Sequence, residues 1–264
     1  MNYFLGLIVA TLAVHLSFSH LGQTPDRYWD LVAFAMVFGG TIAVSLIILP
    51  WSSFRLLFSG FLKIGFHRLQ NKKEFLKTNV EFLQSIQLGL PRPQLTESKF
   101  EEQILLDGYE LIELGFSPEK IQMVLEERIY QVEKKKAQIS NSIQSLSKYP
   151  PAFGLAGTVF GLVELMKAVT EGLPAQQTGI KMATALVATM YGLIVANLFV
   201  NPAGELLKKI YEDENRLYEI ALHTVMLAAE QSNLLEAQEM LNSHVEPHER
   251  VNVLQQTYEN EGAA

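Results

Sequence analysis

Long apolar runs alternate with long polar segments along this chain, and that contrast predicts its architecture. Leu31 to Leu49 is uncharged and ends at Pro50-Trp51, while Pro150 to Val169 and Gly179 to Pro202 are apolar over similar lengths. Each is about long enough to cross a hydrocarbon core of ~30 Å. Met1 to Phe18 is also apolar, with Gly6, Thr11 and His15 interspersed. It has no basic residue ahead of its apolar core and no small-x-small site after it, so it reads as a retained span rather than a cleaved signal. A short loop, Ser19 to Asp30, returns the chain into the second run, and Trp51 suits a membrane interface. The predicted fold class is all-α: a polytopic membrane protein with four transmembrane helices and a helical cytoplasmic domain. The expected division is 1–50 for the first two spans, 51–149 for the cytoplasmic helical domain, 150–203 for the third and fourth spans, and 204–264 for a cytoplasmic C-terminal helix and tail.

Basic residues next to span ends orient the chain. Arg55, Lys63, Arg68, Lys72, Lys73 and Lys77 follow the second span, and Lys134, Lys135, Lys136 and Lys148 precede the third. Lys208, Lys209 and Arg216 follow the fourth, whereas the loop Ser19 to Asp30 offers only Arg27 and the loop Thr170 to Thr178 has no basic residue. The basic flanks belong in the cytoplasm, which puts both termini and the middle segment inside.

The polar segments carry helix period. Phe75, Leu76, Val80, Leu83 and Ile86 share one helical face, and Gly89-Leu90-Pro91-Arg92-Pro93 stops that helix. A second helix, about Ser98 to Leu114, ends at Gly115. A third starts at Ser117 as N-cap with Pro118 and Glu119 in its first turn and runs towards Ser147. After Pro202, Leu206, Ile210, Leu217, Ile220 and Leu227 line one face of a long charged helix that suits this one as a packing partner.

Composition narrows the chemistry. The chain has 264 residues and no cysteine, so it holds no disulfide framework, thiolate nucleophile or zinc-thiolate site. A net charge of −7 argues against nucleic acid, whose phosphates call for clustered Lys and Arg. No nucleophile, base and orienting group can be assembled, so no catalytic residue, metal site or cofactor is expected and the chain is not read as an enzyme. His244 and His248 have i, i+4 spacing, but Pro247 interrupts any helix between them.

What chemistry remains lies inside the third and fourth spans. Thr158, Thr184, Thr189 and Asn197 are polar atoms of the kind that line an ion path or join helices in lipid. If the outer hairpin centres near Leu173 and Pro174, Thr158 and Thr189 lie at matching depth on antiparallel helices. Two readings stand side by side: an ion path, or hydroxyls that bond their own i−4 carbonyls. Gly157 and Gly161, then Gly192 and Ala196, set small residues one turn apart, which lets helix backbones approach closely. Glu164, an acid inside an apolar stretch, has Lys167 at i+3 as an ion-pair partner, and pairing explains it better than ion carriage. An ion route without a mid-depth carboxylate implies a second protein that brings one.

The stretch Pro151-Ala152-Phe153-Gly154, then Gly157-Thr158-Val159-Phe160-Gly161-Leu162-Val163, then Ala185-Leu186 through Thr189-Met190-Tyr191-Gly192, Ala196-Asn197 and Pro202, resembles the MotA/PomA family of flagellar motor stators, within the MotA/TolQ/ExbB proton channel superfamily. Phe38-Gly39-Gly40-Thr41 followed by Pro50 resembles the second span of that family. The resemblance implies a homopentamer in the bacterial inner membrane around a dimer of a MotB/PomB-like single-span subunit, whose aspartate carries the ion. It implies coupling roles for Pro151 and Pro202, and an ion pathway at Thr158 and Thr189. It also implies helix packing through Gly154, Gly157, Gly161, Gly192, Ala196 and Asn197. The threonine pair is similar to the sodium-driven branch, which favours transported Na⁺ over H⁺.

One stretch departs from the family pattern. Stators that push the rotor protein FliG usually carry a basic Ala-Arg-Arg-type segment where this chain reads Ser85-Ile86-Gln87-Leu88-Gly89-Leu90-Pro91-Arg92-Pro93. Arg92, Glu97, Lys99, Glu101 and Glu102 are then the candidates for a charged face against a rotor, and a solvated loop is the competing reading. The alternative function is an ExbB/TolQ-like energiser of a periplasm-spanning partner, or a non-flagellar rotary stator. Four predicted spans, against three in ExbB/TolQ-like chains, favour the MotA type.

Overall fold

The computed structural model describes residues 2–20, 28–49, 72–89 and 93–252. Among them every regular element is helical. We number these α1 (Asn2–His20), α2 (Leu31–Ile48), α3 (Lys72–Leu88), α4 (Phe100–Glu113), α5 (Pro118–Leu146), α6 (Tyr149–Thr170), α7 (Ala175–Ile194), α8 (Asn201–Ala229) and α9 (Leu234–Asn242). The chain forms two compact units: Met1–Phe66 with Ala137–Lys209, and His67–Lys136 with Ile210–Ala264. The unit limits fall within α5 and α8, not at Pro150 or Pro202, because a helix needs no break where one hydrophobic surface gives way to another.

In the first unit, α6 and α7 form an antiparallel hairpin. Pro150 and Pro151 stand at the start of α6, where a missing N–H costs nothing. Gly172, with φ +70°, ends it: Leu173 N–H reaches the Ala168 carbonyl at 3.0 Å and Gly172 N–H the Val169 carbonyl at 3.1 Å. Only a residue free to adopt left-handed backbone closes a helix this way cheaply. Leu155, Val159, Phe160, Val163, Met166, Ile180 and Leu186 are all exposed on the pair. Such a surface belongs in lipid or against another apolar protein face. Among the described residues three helices hold windows long and apolar enough to cross a membrane, within Leu31–Ile48, Pro118–Thr170 and Ala175–Ala229. The predicted first span is a helix of 19 residues whose apolar part, Leu5–Ser17, is shorter than these.

Among the described residues two π-helical turns interrupt the apolar helices. Ala35–Gly39 widens α2, and Val195–Val200 separates α7 from α8. The second follows from Pro202: its ring crowds the carbonyl of residue i−4 and it donates no N–H. The helix relaxes just before it, and Asn201 N–H bonds Ala196 O five residues back.

The second unit has a close-packed apolar core. Leu76, Phe82 and Leu83 of α3, Ile104 and Leu105 of α4, Ile121 and Leu125 of α5, Ile220 and Val225 of α8, and Leu241 of α9 are buried together. The predicted face of α3 points into this core, and α5 begins at Pro118 as its start signal requires. On the stretch of α8 that belongs to the first unit, Leu207 is buried while Leu206, expected on the apolar face, is only half-buried. Asn79 inside the core donates to Phe75 O and accepts from Thr224 Oγ1, each at 2.7 Å. Lys136 of α5 donates to Glu214 of α8 at 2.6 Å and lies over the Tyr218 ring, its Nζ 4.4 Å from the centroid. Burial, with the Glu214 charge added, pushes the Tyr211 phenol beside them up to about 12.

This packing corrects the predicted rotor face. Glu101 and Glu102 are only 5% and 7% exposed. Glu102 accepts the Thr96 N–H at 2.6 Å and the Lys99 ammonium at 2.7 Å, so its charge is spent at the start of α4. A carboxylate that fills a helix-start site cannot also face a partner. Of the five residues proposed, Glu97 and Lys99 are exposed and Arg92 lies outside the described residues.

Candidate functional site

The α6–α7 hairpin brings four oxygens together at mid-depth. Thr158 Oγ1 and Thr189 Oγ1 are hydrogen-bonded to each other. Thr158 Oγ1 lies 3.2 Å from both the Gly154 and Ala185 carbonyl oxygens, and Thr189 Oγ1 lies 3.2 Å from Gly154 O. Thr158 thus bonds its own i−4 carbonyl and also reaches across to α7, while Thr189 reaches back to α6. Two hydroxyl protons serve two carbonyl oxygens, one of them shared, and each other, so oxygen lone pairs exceed donors. A group of hard oxygens in surplus is what a small cation seeks.

Glycine makes the approach possible. A Cβ on Gly154 would lie 2.8 Å from the Ala188 carbonyl oxygen, and one on Gly192 would lie 2.4 Å from the Pro150 carbonyl oxygen. Both clashes are with backbone, which has no rotamer to yield. Gly157 and Gly161 face the methyl groups of Ala188 and Ala185, and Ala196 is buried. Asn197 differs from its expected packing role: it is exposed, and its amide donates to Leu193 O of its own helix at 3.0 Å. Within one chain it does not hold the hairpin. Pro151 and Pro202 are half-buried at the opposite end of the hairpin from its loop.

A third helix is tied to the pair by groups that sequence reasoning overlooked. One carboxylate oxygen of Asp30 accepts the Val32 and Ala33 N–H groups, both at 2.9 Å, and so caps α2. Its other oxygen accepts the Thr184 hydroxyl at 2.6 Å. Tyr191 Oη donates to Tyr28 O at 2.5 Å and accepts the Asp30 N–H at 3.3 Å. Asp immediately before an apolar run is a readable cap signal. Tyr191 belongs to the motif that carries the resemblance, but the sequence does not show what it bonds, because its partners are backbone atoms far away along the chain.

Glu164 sits almost two turns closer to the hairpin loop than Thr158, paired with Lys167 at 3.0 Å and Lys181 at 3.4 Å. The expected pair with Lys167 is present, and Lys181 was not foreseen. His244 meets His223, 2.9 Å between ring nitrogens, while His248 pairs with Glu246 at 3.5 Å. Among the described residues no three acidic or imidazole side chains form a metal cluster.

Residues 96–220 match the family model of the MotA/TolQ/ExbB proton channel family. The chain is 26% identical over 215 residues to the "Uncharacterized protein YtxD" of Bacillus subtilis (strain 168), covering 81% of this chain and 77% of that one. It is 29% identical over 143 residues to "Motility protein A" of Borreliella burgdorferi, 54% of each chain. With "Chemotaxis protein PomA" of Vibrio alginolyticus it shares 23% identity over 189 residues, 70% of this chain and 72% of that one. Among solved structures it resembles C. jejuni MotAB with a TM-score of 0.81 at 18% identity, covering 95% of this chain and 98% of that chain. It resembles the flagellar MotAB stator complex from Bacillus subtilis with a TM-score of 0.79 at 20% identity over the same shares. At these identities the structural likeness is one of fold.

Proposed function

We propose that this chain, which carries a MotA/TolQ/ExbB family domain across residues 96–220, is an ion-conducting stator subunit of a bacterial flagellar motor. The observation that carries this reading is the oxygen cluster of Thr158, Thr189, Gly154 and Ala185, set between two membrane-length helices without a carboxylate of its own. Such a site steadies a passing cation but cannot release and recapture it by titrating. The titrating aspartate comes from a MotB/PomB-like single-span partner, around which five copies of this chain assemble. Relatives named Motility protein A and Chemotaxis protein PomA support that reading.

The ion is Na⁺. Protons travel through water and carboxylates and need no ring of hydroxyl and carbonyl oxygens, whereas Na⁺ must exchange its hydration shell for such ligands. Pro151 and Pro202 act at the cytoplasmic ends of the hairpin, where the freed carbonyls ahead of Pro202 make a joint that ion loading can bend. The Lys-rich flanks support a cytoplasmic place for both termini and the second unit, where, of the five residues expected to face FliG, Glu97 and Lys99 are exposed. The assembly resides in the bacterial inner membrane.

Thr158→Ala tests the ion pathway. Swimming speed, or torque on a tethered cell, should lose its dependence on external sodium or require roughly tenfold more of it, while the complex still assembles. Unchanged speed across sodium concentrations removes Thr158 from the pathway. The second reading, an energiser of the ExbB/TolQ type or a rotary stator outside the flagellum, draws on the burial of Glu101 and Glu102, which removes two of the five residues expected to face a rotor. Deletion that spares motility but disables a periplasm-spanning system would select it.

A further inference from the structure

A cavity of about 250 Å³ opens where α2, α6 and α7 meet, on the half of the hairpin nearer its loop; Val32, Met36, Gly161, Ile180 and Thr184 form its apolar wall. Glu164 and Lys181 stand at its charged edge. Glu164 pairs with both Lys181 and Lys167, so the three side chains leave one positive charge in excess.

We infer that this cavity holds one acyl chain of an anionic phospholipid, whose phosphate lies on Lys181 at its edge, with Lys167 joined to that edge through Glu164. An acyl chain is slender enough to enter this narrow apolar opening. Depth agrees. Glu164 is six positions before the end of α6 at Thr170, and Lys181 is six positions after the start of α7 at Ala175. Six residues rise about 9 Å, which carries these charges below a headgroup layer of about 5–7 Å and onto its boundary with hydrocarbon. In the other direction, Lys181 to Pro202 is about 30 Å of helix, one hydrocarbon thickness. Lysine at that boundary reaches a phosphate by extending its stem along apolar surface. The net positive edge selects an anionic headgroup over a zwitterionic one. This inference rests on the cavity and its charges, not on the coupling ion or the rotor.

The test uses the full-length chain in whatever assembly it forms, equilibrated with mixed micelles of equal phosphatidylglycerol and phosphatidylethanolamine. Native mass spectrometry then counts the lipids retained per chain and reads the assembly's mass. Wild type should retain phosphatidylglycerol about fivefold in excess. Lys181→Gln should bring the ratio near parity, and Lys167→Gln with Lys181→Gln should reverse it. Val32→Trp, at an exposed position on the mouth, should lower the retained lipid at unchanged assembly mass. Retention that mirrors the micelle composition in wild type overturns the inference. So does a Val32→Trp protein that keeps its lipid but loses assembly mass, because the cavity then belongs to a contact with a second copy or a partner protein.

Discussion

Thr158 carries its meaning through what surrounds it, since a lone hydroxyl in a lipid-facing helix normally satisfies itself on its own i−4 carbonyl. Here that bond to Gly154 is shared with Thr189, and Ala185 O lies at the same 3.2 Å. Two other residues invite measurement. Gln231 closes α8 with φ +54°, the one non-glycine in left-handed backbone among the described residues. Gln231→Gly should raise stability by about 0.5–1 kcal/mol, read from the unfolding midpoint, because strain removed outweighs chain entropy gained in the unfolded state. His244 is held below its ordinary value of 6.5, first by burial and then by the His223 charge, against an opposing pull from Glu219. The folded state therefore binds fewer protons than the unfolded one as pH falls through and below that value. Stability should be full above it and decline on acidification, and His244→Gln should flatten that decline in thermal melts between about pH 7.5 and 5.5.

At the scale of elements, the hairpin depends on backbone contact. Gly192→Ala drives a methyl to 2.4 Å from Pro150 O, with Pro151 Cα at 3.0 Å. Helices α6 and α7 must separate, which should cost several kcal/mol by analogy with an overpacked core and break assembly on a sizing column. Normal assembly would mean that the hairpin tolerates a wider crossing. Pro202→Ala acts otherwise. It restores an N–H to bond Leu198 O, lets the widened turn Val195–Val200 tighten into regular α-helix, and leaves the packing glycines alone. The complex should assemble and the cells should not swim; motility in that variant would remove Pro202 from coupling.

For the whole molecule, the division of labour follows the two units. The first leaves apolar side chains outward and holds itself together by close backbone approach. The second buries its apolar side chains and closes α5 against α8 with the Lys136–Glu214 pair, whose side chains are each 14% exposed. Lys136→Met alone should cost about 3 kcal/mol, because Glu214 is left charged and buried. Lys136→Met with Glu214→Leu should recover most of that in denaturant melts of the purified chain. A double variant as weak as the single one would show that the Tyr218 contact, rather than the charge, holds the pair of helices.

Much of this was legible from periodicity. Uncharged runs of bilayer length and one-sided apolar faces such as Phe75, Leu76, Val80 and Leu83 predict the helices, because both signals are local. Prolines and glycines at Pro118, Gly115 and Pro202 mark where they start, stop and loosen, again from neighbours in the chain. The small residues of the hairpin were readable as a pattern, while the contact of Gly192 with Pro150 was not, since it depends on the depth at which two helices cross. Burial of Glu101 and Glu102 escaped for a related reason: a charge on an amphipathic helix looks solvated until a neighbouring turn closes over it. Asp30 with Thr184, and Tyr191 with Tyr28, join residues about 150 positions or more apart. By itself the sequence determined the helices, their membrane length and the lack of a titrating acid at mid-depth. Tertiary structure alone decided that Thr158 and Thr189 meet over shared carbonyls, because bringing hydroxyls on two helices within bonding distance depends on packing that no local pattern encodes.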